Sequence, residues 1–370
     1  MPSQRLRLLG VGPGRSINFL RWAWRLAERG HEIHIVSDQI TERREELRGI
    51  VAHDLRHLEP LTRVRGVRRL RLAPALARLA RQLDVDLVHA HYLLPYGWWA
   101  ARADVHPLVV SPWGTDILVD GQKPPGRARA ARAIAGADFL VVNSRVNEQA
   151  SVGLGADPGR IERIVWYAEL DRFAPERRDP GFRASLGWPA DALVVLSLRN
   201  FRPDTNVDLI VRAFAAVARE EPRARLFLAA RSGPLRGQVE AVIDELGLRP
   251  LVALGFVGPD ELPAVVASAD AVVQMTDSDS TPASLLEAMA SGLPAVCGRA
   301  PSLDEWVGPG DGAEIVSPRD PEALAAALVK VLRDAELRRT YGERNRRFVH
   351  EHLADPGAAL EALYVRLLER

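Results

Sequence analysis

Residues 6–38 read LRLLGVGPGRSINFLRWAWRLAERGHEIHIVSD. A short apolar run (6–11) leads through a glycine turn into a segment of helical period (17–30) and then a second apolar run (31–38), which predicts a strand–helix–strand unit. The alternation continues with DVDLVHAH (84–91), PLVVSPWG (107–114) and ADFLVVNS (137–144). Strands alternating with helices predict an α/β fold with a parallel sheet and crossover helices. After a loop rich in Pro, Arg and Asp, APERRDPGF (174–182), the pattern restarts. DALVVLSLR (191–199), VDLIVRAFAAVARE (207–220), RARLFLAAR (223–231), GQVEAVIDELG (237–247), LVALGFVG (251–258), ADAVVQM (269–275) and SLLEAMASG (284–292) follow one another. The restart predicts a second doubly wound domain, so residues 1–173 and 174–354 are read as separate domains. The amphipathic end PGAALEALYVRLLER (356–370) follows Asp355-Pro356 and either closes the second domain or crosses back to the first. Crossing back is the expectation for residues 355–370. Two such domains facing across a cleft are expected to take a ligand there, at the carboxyl ends of their strands.

Length and composition agree. A chain of 370 residues exceeds two typical domains of ~150. With 47% hydrophobic and 26% charged residues it is neither collagen-like nor disordered, and no apolar run reaches the ~18 residues of a membrane span. The start of the chain has no long apolar core before its glycine turn, so a cytoplasmic protein is expected. One cysteine, Cys297, excludes an intrachain disulfide and a cysteine-rich zinc site, and its thiol is expected to be buried and inert. The net charge of +1 conceals +7 over residues 1–172 and −6 over the remainder. Lys123 and Lys330 are the only lysines. The arginine excess serves bidentate grip on phosphate, or simply follows from a GC-rich genome.

Several motifs carry chemistry, each beside a plainer reading. Gly12 and Gly14 open a helix after the first strand, as in a phosphate loop or a tight turn. A dinucleotide fingerprint needs a third glycine where the chain has Ile17, although Asp38 stands about where a ribose-binding acid would. His89 and His91 point to one face of a strand, yet no third metal ligand is evident; cleft-lining or core residues are the alternative. Seven arginines and no acid lie between Leu61 and Leu83: Arg63, Arg65, Arg68, Arg69, Arg71, Arg78 and Arg81. They form a solvated helix face, or meet an anionic membrane or a phosphorylated acceptor. Nucleic acid is not expected, because the aromatic residues lie elsewhere.

The densest cluster is DSDSTPASLLEAMASGLP (277–294), a polar loop running into a helix that begins near Pro282 or Ala283. Its first amides suit a diphosphate, Glu287 suits a ribose diol, and Asp279 suits a sugar hydroxyl. Ser280 or Thr281 as N-cap, with Glu287 as an exposed helix charge, is the alternative.

With these elements in this order, the chain resembles the retaining glycosyltransferases of family 4 (glycosyl transferases group 1), which have the GT-B architecture of two Rossmann-like domains. RLAERGHEIHIVSD, DVDLVHAHY, SPWGTD, LRN with VDLIVRAF, LGFV, the acid-x7-Glu element with LLEAMASGLP, DEWV and SPRDPEALAAAL carry the likeness over nearly the whole chain. The resemblance implies transfer of a sugar from a nucleoside diphosphate sugar, UDP or GDP first, to an acceptor hydroxyl with retention, without a bound metal or other cofactor. It implies Glu287 on the ribose, Asp279 and Thr281 beside Ser280 at the donor sugar, and Ser284 and Leu285 amides on the diphosphate. Arg199 then meets the leaving phosphate, Gly255, Phe256 and Val257 read the base, and Gly12, Gly14 and Asp116 face sugar and acceptor. A glycan, a glycolipid of the cell envelope or a small molecule is the implied acceptor, with peripheral membrane contact through residues 61–83.

Four departures stand out. Trp113-Gly114 replaces the usual His-Gly, leaving His91 or His89 beside Trp113 as the acceptor-side candidates. No lysine follows Arg199 in Arg202-Pro203-Asp204-Thr205-Asn206, so Arg202 is its substitute. Asp279-Ser280 replaces Glu-Gly, and Tyr167-Ala168-Glu169 replaces Gly-Val-Asp. A nucleotide-sugar 2-epimerase on the same frame and a nucleotide-sugar-binding protein without turnover are the rival readings. An NAD oxidoreductase is disfavoured by Ile17.

Overall fold

The structure, a computed structural model, describes residues 5–41, 47–58, 65–230, 232–277, 279–353 and 355–369, the side chains of 65–71 excepted. The chain forms two compact units, Met1–Tyr167 together with Asp355–Arg370, and Ala168–Ala354.

In the first unit, seven parallel strands run β1 Arg7–Val11, β2 Glu32–Ser37, β3 Val51–Asp54, β4 Leu87–His91, β5 Leu108–Ser111, β6 Phe139–Val142 and β7 Ile161–Arg163. Their order across the sheet is β3-β2-β1-β4-β5-β6-β7. Helices α1 Ile17–Glu28, α2 Arg65–Leu83, α3 Trp98–Ala103, α4 Thr115–Leu118, α5 Gly126–Ala135 and α6 Arg145–Gly153 connect them. The inner strand β4 is buried along its whole length, as a parallel strand covered by helices on both faces must be. Edge strands β3 and β7 are short and only partly buried, so they leave no apolar run to read in the sequence.

Helix α1 buries Phe19, Trp22, Ala23 and Leu26, one stripe at i, i+3, i+4 and i+7. The glycines of β1 and its turn exist for that stripe. A Cβ on Gly10 would lie 2.4 Å from Trp22, and one on Gly12 would lie 2.9 Å from Phe19.

The second unit repeats the plan with β8 Leu193–Ser197, β9 Ala224–Ala229, β10 Val252–Gly255, β11 Ala271–Gln274, β12 Ala295–Gly298, β13 Gly308–Pro309 and β14 Gly312–Val316. The parallel order is β10-β9-β8-β11-β12-β14-β13. Its helices are α7 Phe182–Ser185, α8 Val207–Glu220, α9 Arg236–Glu245, α10 Leu262–Ala267, α11 Ala283–Ala290, α12 Pro321–Arg333 and α13 Ala335–His352. Helix α8 buries Val207, Ile210, Val211, Phe214 and Val217 against the sheet, the same helical stripe. Helix α12 starts with Asp320 accepting from the Ala323 amide and Pro321 in the first turn. In both sheets the chain winds outward through three strands and then crosses to the other side. The reversal falls between β1 and β4 in one unit and between β8 and β11 in the other, which are the switch points where open α/β sheets bind ligands.

The last helix, α14 Pro356–Leu368, belongs to the first unit. Its Tyr364 is fully buried and accepts a hydrogen bond from Trp22 Nε1 at 2.9 Å. Arg29 pairs with Glu361 and Asp355 at 2.6 and 2.9 Å.

Candidate active site

At the switch point of the second unit, Arg199 leaves the end of β8 and Gln274 ends β11 beside it. One guanidinium nitrogen, Nη2, donates both to Gln274 Oε1 at 2.8 Å and to Asp279 Oδ2 at 2.7 Å. Gln274 is 3% exposed, whereas the Arg199 and Asp279 side chains retain 16% and 20%. Arg199 Nε is buried with no hydrogen-bond partner.

The loop that carries Asp279 is tied down from α8. Asn206, in the left-handed region at φ 49°, donates to Met275 O and to Asp277 Oδ1, both at 2.7 Å. Arg319 pairs with the other oxygen of Asp277 at 2.9 Å, and this ion pair holds the Asp277 carboxyl below its ordinary range.

Helix α11 then begins at Ala283 with Pro282 at its N-cap. Ser280 and Thr281 are therefore not the cap, but both are 5% exposed, and Glu287 is 4% exposed, so it is not the surface charge of the plainer reading. The Leu285 amide, read as a diphosphate donor, already donates to Pro282 O at 2.9 Å. Ser284 lies in the first turn, where helix amides lack partners within the helix. Arg202 is exposed and forked onto Asp204 at 2.9 and 3.3 Å, so as placed its charge is taken up two residues away. Gly255 ends β10, and Phe256 follows it with 55% exposure, ahead of the half-buried Val257. Cys297 is fully buried, and burial pushes its thiol up to about 12, an inert state.

The first unit corrects several expectations. The Gly12 amide donates to Val36 O at 3.2 Å and the Gly14 amide to Ser37 Oγ at 2.9 Å, so neither is directed at a phosphate or sugar. Asp116 is wholly buried and turned inward. Its carboxylate accepts from the amides of Leu93 at 2.5 Å, Gly114 at 2.8 Å and Trp113 at 3.0 and 3.2 Å. Burial raises its carboxyl to about 6 even though all of these donors favour the ionised form. Asp116 thus holds the loop 112–116 in shape instead of facing a substrate. Asp38, weighed as a ribose-binding acid, accepts from Tyr96 Oη at 2.6 Å.

His89 and His91 do share a face, with ring centroids 4.1 Å apart, but both are fully buried. The Trp22 indole can only donate, so Tyr364 accepts from it, and the same phenol oxygen is hydrogen-bonded to His89 Nδ1 at 2.5 Å. The other ring nitrogen of His89, Nε2, is hydrogen-bonded to Ser111 Oγ at 2.7 Å. His91 has no hydrogen-bond partner and is walled by Phe19, Trp22, Trp113 and Trp166, so it is a core residue and not an exposed acceptor contact. Trp113 is half-buried at the edge of this aromatic cluster. No group of three or more metal-ligating side chains occurs among the described residues. Of the arginine stretch, Arg63 lies outside the described residues, the side chains of Arg65, Arg68, Arg69 and Arg71 likewise, and Arg78 and Arg81 are exposed on α2. No helix among the described residues is long and apolar enough to cross a membrane.

Burial holds the His89 imidazole at about 3, and His91 is lowered too, by burial and by its neighbour. In the unfolded chain both take a proton near pH 6.5, whereas in the folded unit they do not. Stability is therefore complete above that pH and is lost as pH falls below it, by about 1.4 kcal/mol per pH unit for each group. A plot of Tm against pH is expected to fall between pH 6.5 and 4.5, and less steeply in His89→Gln. An unchanged slope in that variant would count against this origin of the acid sensitivity.

Gln274, Asn206 and Asp277 escape a sequence reading. An amide closing the apolar run AVVQ is the only trace of Gln274, and the other two act through contacts that no spacing encodes.

Comparisons with known proteins identify the fold and the family. Residues 179–348 match the family described as glycosyl transferases group 1, and residues 7–144 match glycosyl transferase 4-like. The chain is 27% identical to N-acetyl-alpha-D-glucosaminyl L-malate synthase of Bacillus anthracis, over 88% of this chain and 86% of that one. It is 30% identical to D-inositol 3-phosphate glycosyltransferase 2 of Catenulispora acidiphila, over 77% and 71%. Among solved structures it superposes on Anabaena HepE in complex with UDP-glucose with TM-score 0.80 at 16% identity, covering 99% and 100% of the two chains. With two seven-stranded parallel sheets on the GT-B plan and matching family elements in both units, the chain belongs to the glycosyl transferases group 1 family and is a glycosyltransferase of the family 4 type.

Proposed function

We propose that the protein moves a sugar from a nucleoside diphosphate sugar, UDP or GDP first, to an acceptor hydroxyl with retention and without a bound divalent ion. The observation that carries this reading is the placement of Arg199, Asp279 and the α11 start together at the β8/β11 switch point. In this reading Arg199 and the α11 dipole stabilise the departing diphosphate, the Ser284 amide adds a donor, Glu287 takes the ribose hydroxyls, and Asp279 turns to the donor sugar. Phe256 and its neighbours meet the base. Arg202 is a second phosphate partner, because an exposed pair such as Arg202–Asp204 is worth only ~0–1 kcal/mol and opens readily. HepE has been solved with UDP-glucose, which supports a nucleotide-sugar donor here.

Two acceptor classes fit: an envelope glycan or glycolipid, and a small anionic hydroxyl compound. The names of the relatives, with L-malate and inositol 3-phosphate in them, favour the small anionic one, and so does the +7 charge of residues 1–172.

Thermal unfolding with UDP, GDP, ADP, dTDP and NAD, each with and without EDTA, tests the donor. One nucleoside diphosphate is expected to raise the midpoint, since a ligand at 100 times its Kd adds about 2.7 kcal/mol. A shift with none of them would overturn the nucleotide site, and a shift that EDTA abolishes would overturn metal independence.

A further inference from the structure

We infer that Gln274 is a positioning residue for Arg199, a neutral anchor that keeps the guanidinium in place when Asp279 gives it up to a diphosphate. The inference rests on the proposed reading of Arg199 as the phosphate partner.

Arg199 Nη2 has two acceptors of different kinds. Asp279 is charged, partly exposed and sits in a loop. Gln274 is uncharged, buried and fixed in a central strand, where an amide is costly unless its polar atoms are paired. Its neighbour on the next strand is also uncharged: Cys297 is opposite Gln274 in the β11–β12 register, so the two side chains share a face of the sheet. Its fully buried thiol stays protonated, and Arg199 is near enough to draw it slightly back toward ionisation. The floor beneath Arg199 is thus neutral, and the anion bonded to it is Asp279.

When phosphate oxygens replace Asp279, the bond to Gln274 persists and the full positive charge of Arg199 is available to the ligand. An apolar residue at 274 would leave Arg199 to follow Asp279, and a carboxylate would neutralise it from below. Only a neutral acceptor does both tasks.

The test is titration of the full chain with UDP, and with GDP, ADP or dTDP if UDP does not bind, by calorimetry at low salt. Gln274→Glu preserves shape and acceptor but adds charge. It is expected to weaken Kd at least about tenfold while the unfolding midpoint is retained. Gln274→Leu, which removes the acceptor, is expected to weaken Kd comparably. A merely structural role would leave the isosteric Glu variant binding as the wild type does, and that result would overturn the inference while leaving the nucleotide site standing. If Gln274→Glu unfolds early, Gln274→Leu alone decides: wild-type affinity in it overturns the inference. Failure of the wild type to bind UDP, GDP, ADP or dTDP overturns the site reading and this inference with it.

Discussion

Arg199→Ala is expected to lower donor turnover at least ~100-fold, a loss of about 2.7 kcal/mol of transition-state stabilisation. In the proposed reaction the leaving diphosphate gathers negative charge as the sugar departs, and little positive charge is at hand to meet it. The segment after Arg199 carries no lysine, the exposed Arg202 reaches the phosphates only after leaving Asp204, and the α11 start contributes about half an elementary charge. Removing Arg199 also leaves the buried Gln274 carbonyl without its donor and Asp279 without its counter-charge. Arg199→Lys retains the charge but presents a point in place of a fork, so it is expected to fall between the wild type and Arg199→Ala. Consumption of the nucleotide sugar that stabilises the wild type is the measurement. Turnover within a few-fold of wild type in Arg199→Ala would place the phosphate site elsewhere.

Asp116→Ala is expected to destabilise the first unit by about 3–5 kcal/mol. Two buried amides, those of Leu93 and Gly114, and the part-buried amide of Trp113 lose their shared acceptor together, and each unsatisfied buried donor costs about 1–3 kcal/mol. For a unit of this size 1 kcal/mol moves Tm by roughly 2–4 °C, so a fall of about 6 °C or more should be plain in thermal unfolding. Nucleotide affinity is expected to stay unchanged, because the residues proposed to meet the diphosphate belong to the second unit. A variant that keeps its Tm but loses turnover would restore the substrate-facing role that the resemblance implies for Asp116.

The two residues illustrate how differently a site is written in a chain. Arg199 enters only through the family resemblance, whereas Glu287 stands out locally as a carboxylate one turn into a helix behind a polar loop, and the structure adds that Arg199 meets Asp279 and that Glu287 is buried. Asp116 has an equally clear motif, SPWGTD, and yet the direction of its side chain is set by three amides, one of them from residue 93. Gly12 and Gly14 read as a phosphate loop or a tight turn, and the turn is what the structure shows: their amides are spent on Val36 and Ser37, and the bulk of Phe19 explains the glycine at 12. His89 and His91 read as a pair on one strand face, and only packing against Trp22 and Tyr364 turns that face into core.

What the sequence by itself determined is the architecture and the family: apolar runs of strand length alternating with helical stripes, the restart after residue 182, and the order of the family elements. Those properties are local, since periodicity and turn chemistry depend on neighbours a few residues apart. Only the tertiary structure decided that α14 belongs to the first unit, that Tyr364 hydrogen-bonds to both Trp22 and His89, that Asp116 is turned inward, and that Gln274 and Asp279 converge on one nitrogen of Arg199. Each of these is a contact between residues far apart in sequence or a choice of side-chain direction. Burial and hydrogen-bond satisfaction settle such choices once the strands have been brought side by side.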